Sequence, residues 1–220
     1  PEEPRDPERM TFWEHLEDLR KVIIGSALSL FFGVGIIAVF LVEFFHLLKY
    51  PLNVAMSDQP DQMQGLITTG AMGVFSVIMQ VSLLGGFFIA LPAILFFAAK
   101  FVAPALTEKE RRFITPACFA AFFLFIIGAL FSYFVLVPTS LRVSLHFNQM
   151  FGLSPLWQAD KYYGLLMWMV LGVGASFEFP LLVIGLVRVG LVNVQQLVAF
   201  RPYSIVLFLA LAAVITPTAD

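Results

Sequence analysis

The sequence predicts an all-α polytopic membrane protein with five transmembrane helices. Three observations carry this. Of the 220 residues, 60% are hydrophobic and 13% are charged, where an average soluble domain has about 25% charged residues. Phenylalanine fills 25 positions, more than a soluble core needs or a soluble surface tolerates. The apolar residues gather into five runs, and roughly 20 such residues suffice to cross a bilayer as a helix. The one cysteine, Cys118, lies inside an apolar run, which excludes an internal disulfide and a cysteine-based metal cluster. The net charge of −2 says less about partners than its distribution does.

Residues 1–10, PEEPRDPERM, are polar and proline-rich without an apolar stretch, so they read as a tail rather than a signal peptide. Residues 11–220 read as a single transmembrane helical domain. Thr11 and Glu14 have capping-box spacing and open an amphipathic helix over 11–21. Its Phe12, Leu16, Leu19 and Ile23 recur at helical intervals, and it runs into a first span at about 22–45. A wet loop at 46–69 follows, with Pro51 and Pro60 as breakers. The second span, about 70–99, holds Gly85, Gly86 and Pro92, which predict a bend or a close helix contact.

Residues 101–112, FVAPALTEKERR, are too charged for hydrocarbon and connect the second span to a third at about 113–137, ended by Pro138. Residues 139–161 are too polar to span; Leu141, Val143, Leu145, Phe147 and Met150 predict a partly helical piece at the interface. Trp157, Tyr162 and Tyr163 predict an aromatic belt where a fourth span, about 163–187, begins. The fifth run, 203–216, makes a helix of only about 21 Å, against a hydrocarbon thickness of about 30 Å. With the N-terminus cytoplasmic, the inner segments hold ten Lys and Arg and the outer ones three. That asymmetry satisfies the positive-inside rule and puts 101–112 on the cytoplasmic side.

Signatures of catalysis are missing: no metal-ligand pair of histidines, no nucleophile elbow and no phosphate-binding loop. No enzyme, metal or cofactor is expected. Glu178 is the single acid well inside a span, at a cost of about 3 kcal/mol for its charged form at the bilayer centre. Pro180 frees the carbonyl of Ser176 and predicts a local kink beside it. The function-free alternative is a structural acid bonded to a neighbouring helix, with Gln80 of the second span as partner. Glu110 and Asp18 are further candidates, since carboxylates hold guanidinium groups with two parallel bonds. Against this, Thr107 and Glu110 have capping-box spacing, and Glu17 with Lys21 makes an ordinary i,i+4 pair.

Three motifs taken together resemble the TatC family, the polytopic signal-peptide receptor of the twin-arginine protein translocase. They are HLEDLR (15–20), FVAPALTEKERR (101–112) and SFEFP (176–180), with YPL (50–52) and ITP (215–217) in step. The resemblance covers nearly the whole chain from about Met10. It implies a glove-like concave bundle with a periplasmic cap in the prokaryotic cytoplasmic (inner) membrane. It implies that Asp18 and Glu110 bind the consecutive arginines of signal peptides on folded substrates, with Phe101, Pro104, Arg20 and Arg112 in the same patch. Asp18 stands where the family usually has Glu, with Glu17 beside it, so either acid could face the ligand. Glu178 matches the family's intramembrane acid. The fifth span matches the docking helix for single-span TatB and TatA partners, in a hetero-oligomer driven by the proton-motive force, with no nucleic acid involved. The family has six spans, and by the resemblance Asp220 falls where the sixth is expected to begin. The competing reading is a proton-coupled small-solute transporter using Glu178, which the absence of an internal repeat disfavours.

Overall fold

The computed structural model describes residues 12–57, 65–70, 72–154 and 156–188, and twelve of the residues between 190 and 210. Among them every regular element is helical, and four helices are long and apolar enough to cross a membrane. The expected fifth span at 203–216 and the ITP motif lie largely outside the described residues, as do the N-terminal tail, the Thr11 cap, Pro60 and Arg201.

Helix α1 (Phe12–Val39) carries the amphipathic N-terminal segment and the first span in one piece, as the spacing predicts. It stops at Phe40, short of the expected end at 45, and the chain continues as α2 (Leu41–Leu48). The expected loop after it is instead helical in its first part. Pro51 breaks nothing: it sits buried in the first turn of α3 (Tyr50–Met56), where a missing N–H costs no hydrogen bond.

Helix α4 (Gly73–Val102) runs antiparallel to α1 and touches it through glycines. A Cβ on Gly33 would lie within 3 Å of the Gly86 carbonyl, and one on Gly86 would strike Val34. Within lipid there is no hydrophobic drive between helices, so such close van der Waals packing is what joins them. Gly85 and Gly86 therefore mark a contact, and α4 continues through Pro92 as an unbroken helix.

A 3₁₀ turn (Ala103–Ala105) and the one-turn α5 (Glu108–Arg111) lead to α6 (Ile114–Phe131). Pro138 does not end this span. A π-helical segment, Ser132–Leu136, lets the Val137 N–H reach back to the Ser132 carbonyl, and α7 (Val137–Met150) follows with Pro138 in its first turn. The continuous stretch Ile114–Met150 has 37 residues. It rises about 56 Å, nearly twice the hydrocarbon thickness of about 30 Å. The excess lies in α7, which carries Arg142, Ser144, His146 and Asn148 on exposed or half-exposed positions. Leu141 and Leu145 face inward and are buried. The partly helical piece was legible from spacing; its continuity with the third span was not.

Helix α8 (Ala159–Phe177) packs antiparallel to α6, with Phe177 against Gly128 and Phe125 against Gly174. Tyr162 and Tyr163 are not a belt at the membrane surface; they are 2% and 1% exposed. The Tyr162 hydroxyl donates to the Leu48 carbonyl at 2.7 Å, and the Tyr163 ring packs tilted against Phe45 with centroids 4.6 Å apart. Both tie α8 to α2. Together α2, α3 and α7 cap the end of the bundle opposite residues 101–112, with Arg142 donating to the Val54 carbonyl at 3.1 Å. The helix breaks at Glu178 and resumes as α9 (Phe179–Arg188), the distortion that Pro180 predicts.

Candidate functional site

The starts of α1 and α6 and the ends of α4 and α9 meet at one end of the bundle, and 101–112 is its exposed connector. Two ring contacts hold this end together. His15 of α1 stacks on Phe101 with centroids 4.5 Å apart and planes at 26°. The Arg188 guanidinium, at the end of α9, lies 4.4 Å from the centre of the Phe113 ring, a cation–π arrangement.

Within the connector, the chain leaves α4 through Pro104, turns extended at Leu106 and Thr107, and starts α5. Thr107 and Glu110 form the capping box that the spacing predicts. The Glu110 carboxylate accepts from the Thr107 N–H at 2.9 Å and from its hydroxyl at 2.8 Å. These bonds hold the Glu110 carboxyl below the usual carboxylate range. The box caps the one-turn α5 rather than the third span itself, because a turn at Arg112 and Phe113 intervenes. Glu110 is thus a charged carboxylate fixed in direction, with Arg112 exposed two residues on.

On α1, Lys21 lies between both candidate acids, 3.2 Å from Glu17 and 3.4 Å from Asp18. The helix separates them. Asp18 is three residues after His15, so it shares the face that meets Phe101; Glu17, two residues after, points elsewhere. Side-chain exposure agrees, at 65% for Glu17 and 35% for Asp18. Arg20 is exposed and lies off that face. The connector and α1 are therefore brought together through His15 and Phe101. The described bonds of Glu110 run to Thr107, not to α1.

Gln80 and Glu178 are not brought together. Gln80 donates to the Ser76 hydroxyl at 3.2 Å and lies beside Gly164. Glu178 is fourteen residues farther along, about 21 Å at helical rise, so the expected pairing is replaced by two separate polar points. At Glu178, Oε1 is shielded and without a hydrogen-bond partner among the described residues.

Sequence reasoning missed His15, whose role rests on a ring contact between residues 86 positions apart. Its only local signal was the i,i+3 spacing to Asp18. It missed Arg188 for the same reason.

These elements define a multi-pass helical membrane protein with charged side chains and aromatic rings gathered at one end. The family model for the Sec-independent protein translocase protein TatC matches residues 14–220. TatC from Aquifex aeolicus is 33% identical over 210 residues, which cover 94% of this chain and 85% of that protein. TatC from Desulforapulum autotrophicum is 34% identical, with 97% and 77% covered. The crystal structure of the twin arginine translocase receptor TatC superimposes with a TM-score of 0.80 at 32% identity, covering 94% of this chain and 89% of that one. The chain belongs to the TatC family.

Proposed function

We propose that this protein is the signal-peptide receptor of a twin-arginine translocase in a prokaryotic inner membrane, with 101–112 and the start of α1 on the cytoplasmic side. The observation that carries the proposal is Glu110. Its carboxylate is ionised, exposed enough to bind, and held by Thr107 before any ligand arrives. A held carboxylate loses little freedom on binding and suits the planar two-pronged guanidinium. Asp18, on the His15 and Phe101 face, supplies the second acid for the adjacent arginine. Phe101 and Pro104 shape the patch between them, and Arg20 and Arg112 border it. The reading is supported by the family membership, and its cytoplasmic side by the cations at this end, Arg20, Lys21, Lys100, Arg111, Arg112 and Arg188. TatB-type and TatA-type single-span proteins complete the complex, with Glu178 and the region of the fifth span as their side of it. The protein performs no chemical step; transport draws on the proton-motive force.

The test is binding of a signal peptide carrying Arg-Arg, against the same peptide with Lys-Lys, to the protein in nanodiscs. Arg-Arg binds at least fivefold more tightly, because lysine cannot make the two-pronged contact. Glu110→Gln keeps an oxygen for the Thr107 cap but removes the charge, and it abolishes most of that preference. Equal affinity of the two peptides for the unaltered protein would overturn the reading.

A further inference from the structure

A groove of about 720 Å³ opens between α4 and α6 beside the 101–112 connector, and neither the capping box nor the His15 contact uses it. Its composition changes along its length. The shaft has small residues, Ala99 and Cys118, with Leu95 and the exposed rings of Phe96 and Phe119 among its walls, and Ala103 lies past Lys100 at the connector end. The polar side chains in the lining are Lys100, Arg111 and Thr115, all exposed and all at the connector end. Neither Lys100 nor Arg111 is in an ion pair with a described residue. From Pro92 to Ala103, eleven steps along the end of α4 and into the 3₁₀ turn, the groove runs about 16 Å at helical rise.

We propose that this groove holds one anionic phospholipid, its acyl chain along the shaft and its phosphate between Lys100 and Arg111. The chemistry follows from the arrangement. An apolar slot of this length, opening at the membrane boundary, accepts a hydrocarbon chain better than a polar ligand. Two cations at its mouth, on long stems that extend toward the interface, select a negative headgroup over a neutral one. Each basic residue at a membrane surface contributes appreciably to attraction of anionic lipid, so two together give a preference of about tenfold or more. Because Arg111 follows Glu110 in α5, an occupied groove also fixes the turn that carries the carboxylate.

The experiment uses brominated acyl chains as quenchers of tryptophan fluorescence in bilayers of defined lipid. The three native tryptophans are replaced by Phe, and Phe119→Trp places a reporter on the groove wall; Phe31→Trp, on lipid-facing α1, reports ordinary surrounding lipid. Brominated phosphatidylglycerol quenches the groove reporter at about tenfold lower mole fraction than brominated phosphatidylcholine, while the α1 reporter shows no more than a twofold difference. Lys100→Gln with Arg111→Gln, both exposed positions, removes the groove preference, and Ala99→Leu lowers quenching there by filling the shaft. Equal quenching of the groove reporter by the two lipids overturns the proposal. So does a groove reporter that ignores lipid charge but is quenched by a brominated residue in the apolar core of a signal peptide, which would make the peptide the occupant.

Discussion

His15 and Phe101 stack face to face at 4.5 Å, and this one ring contact places the acid-bearing turn of α1 beside the connector. The two residues lie on different elements, so the contact sets the spacing of Asp18 from the connector rather than merely filling space. Phe101→Ala is expected to weaken Arg-Arg peptide binding three- to tenfold, with thermal stability little changed because Phe101 is only half-buried. His15→Phe, which keeps a ring, should retain near-normal affinity. Peptide titrations by fluorescence anisotropy on both variants check this; a His15→Phe loss as large as that of Phe101→Ala would show that the imidazole itself, not the stacking, matters.

The capping box has a pH dependence of definite sign. Glu110 has its folded-state value below the ordinary carboxylate value of 4.5, chiefly through the Thr107 N–H and then the Thr107 hydroxyl. A depressed value means the contribution is fully present above the ordinary value and is lost as pH falls through the lower folded one. Protection of the α5 amides, corrected for the intrinsic pH dependence of exchange, should therefore stay constant from neutral pH to about pH 5 and fall only in more acidic solution. Thr107→Val removes the hydroxyl donor but leaves the N–H, so the onset should move upward only part of the way. Carboxyl-carbon NMR of Glu110 measures the titration directly.

The glycine contact between α1 and α4 makes a sharper demand. A methyl group on Gly86 meets the Val34 backbone, and one on Gly33 meets a carbonyl, with backbone on both sides and little to yield. Gly86→Ala should cost about 1–3 kcal/mol, the usual cost of overpacking a tight contact. Gly35, two residues from Gly33 on the same helix, faces open space, so Gly35→Ala should leave stability unchanged or slightly improved. Reversible unfolding in mild detergent, followed by circular dichroism, separates the two. Equal destabilisation by both would mean that the close backbone approach at Gly86 is not what sets the cost, since helix propensity alone favours alanine at either position.

Composition and period made the helical membrane character legible, and they placed the starts of α4, α6 and α8 within a few residues. What they missed came from single residues whose meaning depends on distant neighbours. Pro51 and Pro138 looked like breakers because proline lacks an N–H, yet each occupies a first helical turn or follows a π-helical step, where that N–H is not needed. Tyr162 and Tyr163 looked like interface anchors because both are amphipathic; the Leu48 carbonyl of α2 satisfies one hydroxyl inside the core. At the site, Thr107 and Glu110 were readable because their bonds span three residues. That Asp18, rather than Glu17, lies on the face of α1 turned toward Phe101 needed the fold, because the partner ring is 86 residues from His15.

Glu178 provides the test of whether the proposed peptide site and the proposed partner site are independent. It stands at the break between α8 and α9, ten residues before Arg188, whose guanidinium marks the connector end against Phe113. Ten residues of helix put it about 15 Å from that end, beyond reach of a peptide arginine held by Glu110. Glu178→Gln should therefore leave Arg-Arg peptide affinity within twofold of the unaltered protein. The same substitution keeps the shape but removes the ionisable group, and it should lower recovery of a TatB-type single-span partner several-fold in co-purification from membranes. If peptide affinity falls tenfold instead, the intramembrane acid belongs to the peptide site, and the capping-box carboxylate is one part of a longer binding surface that runs down α9.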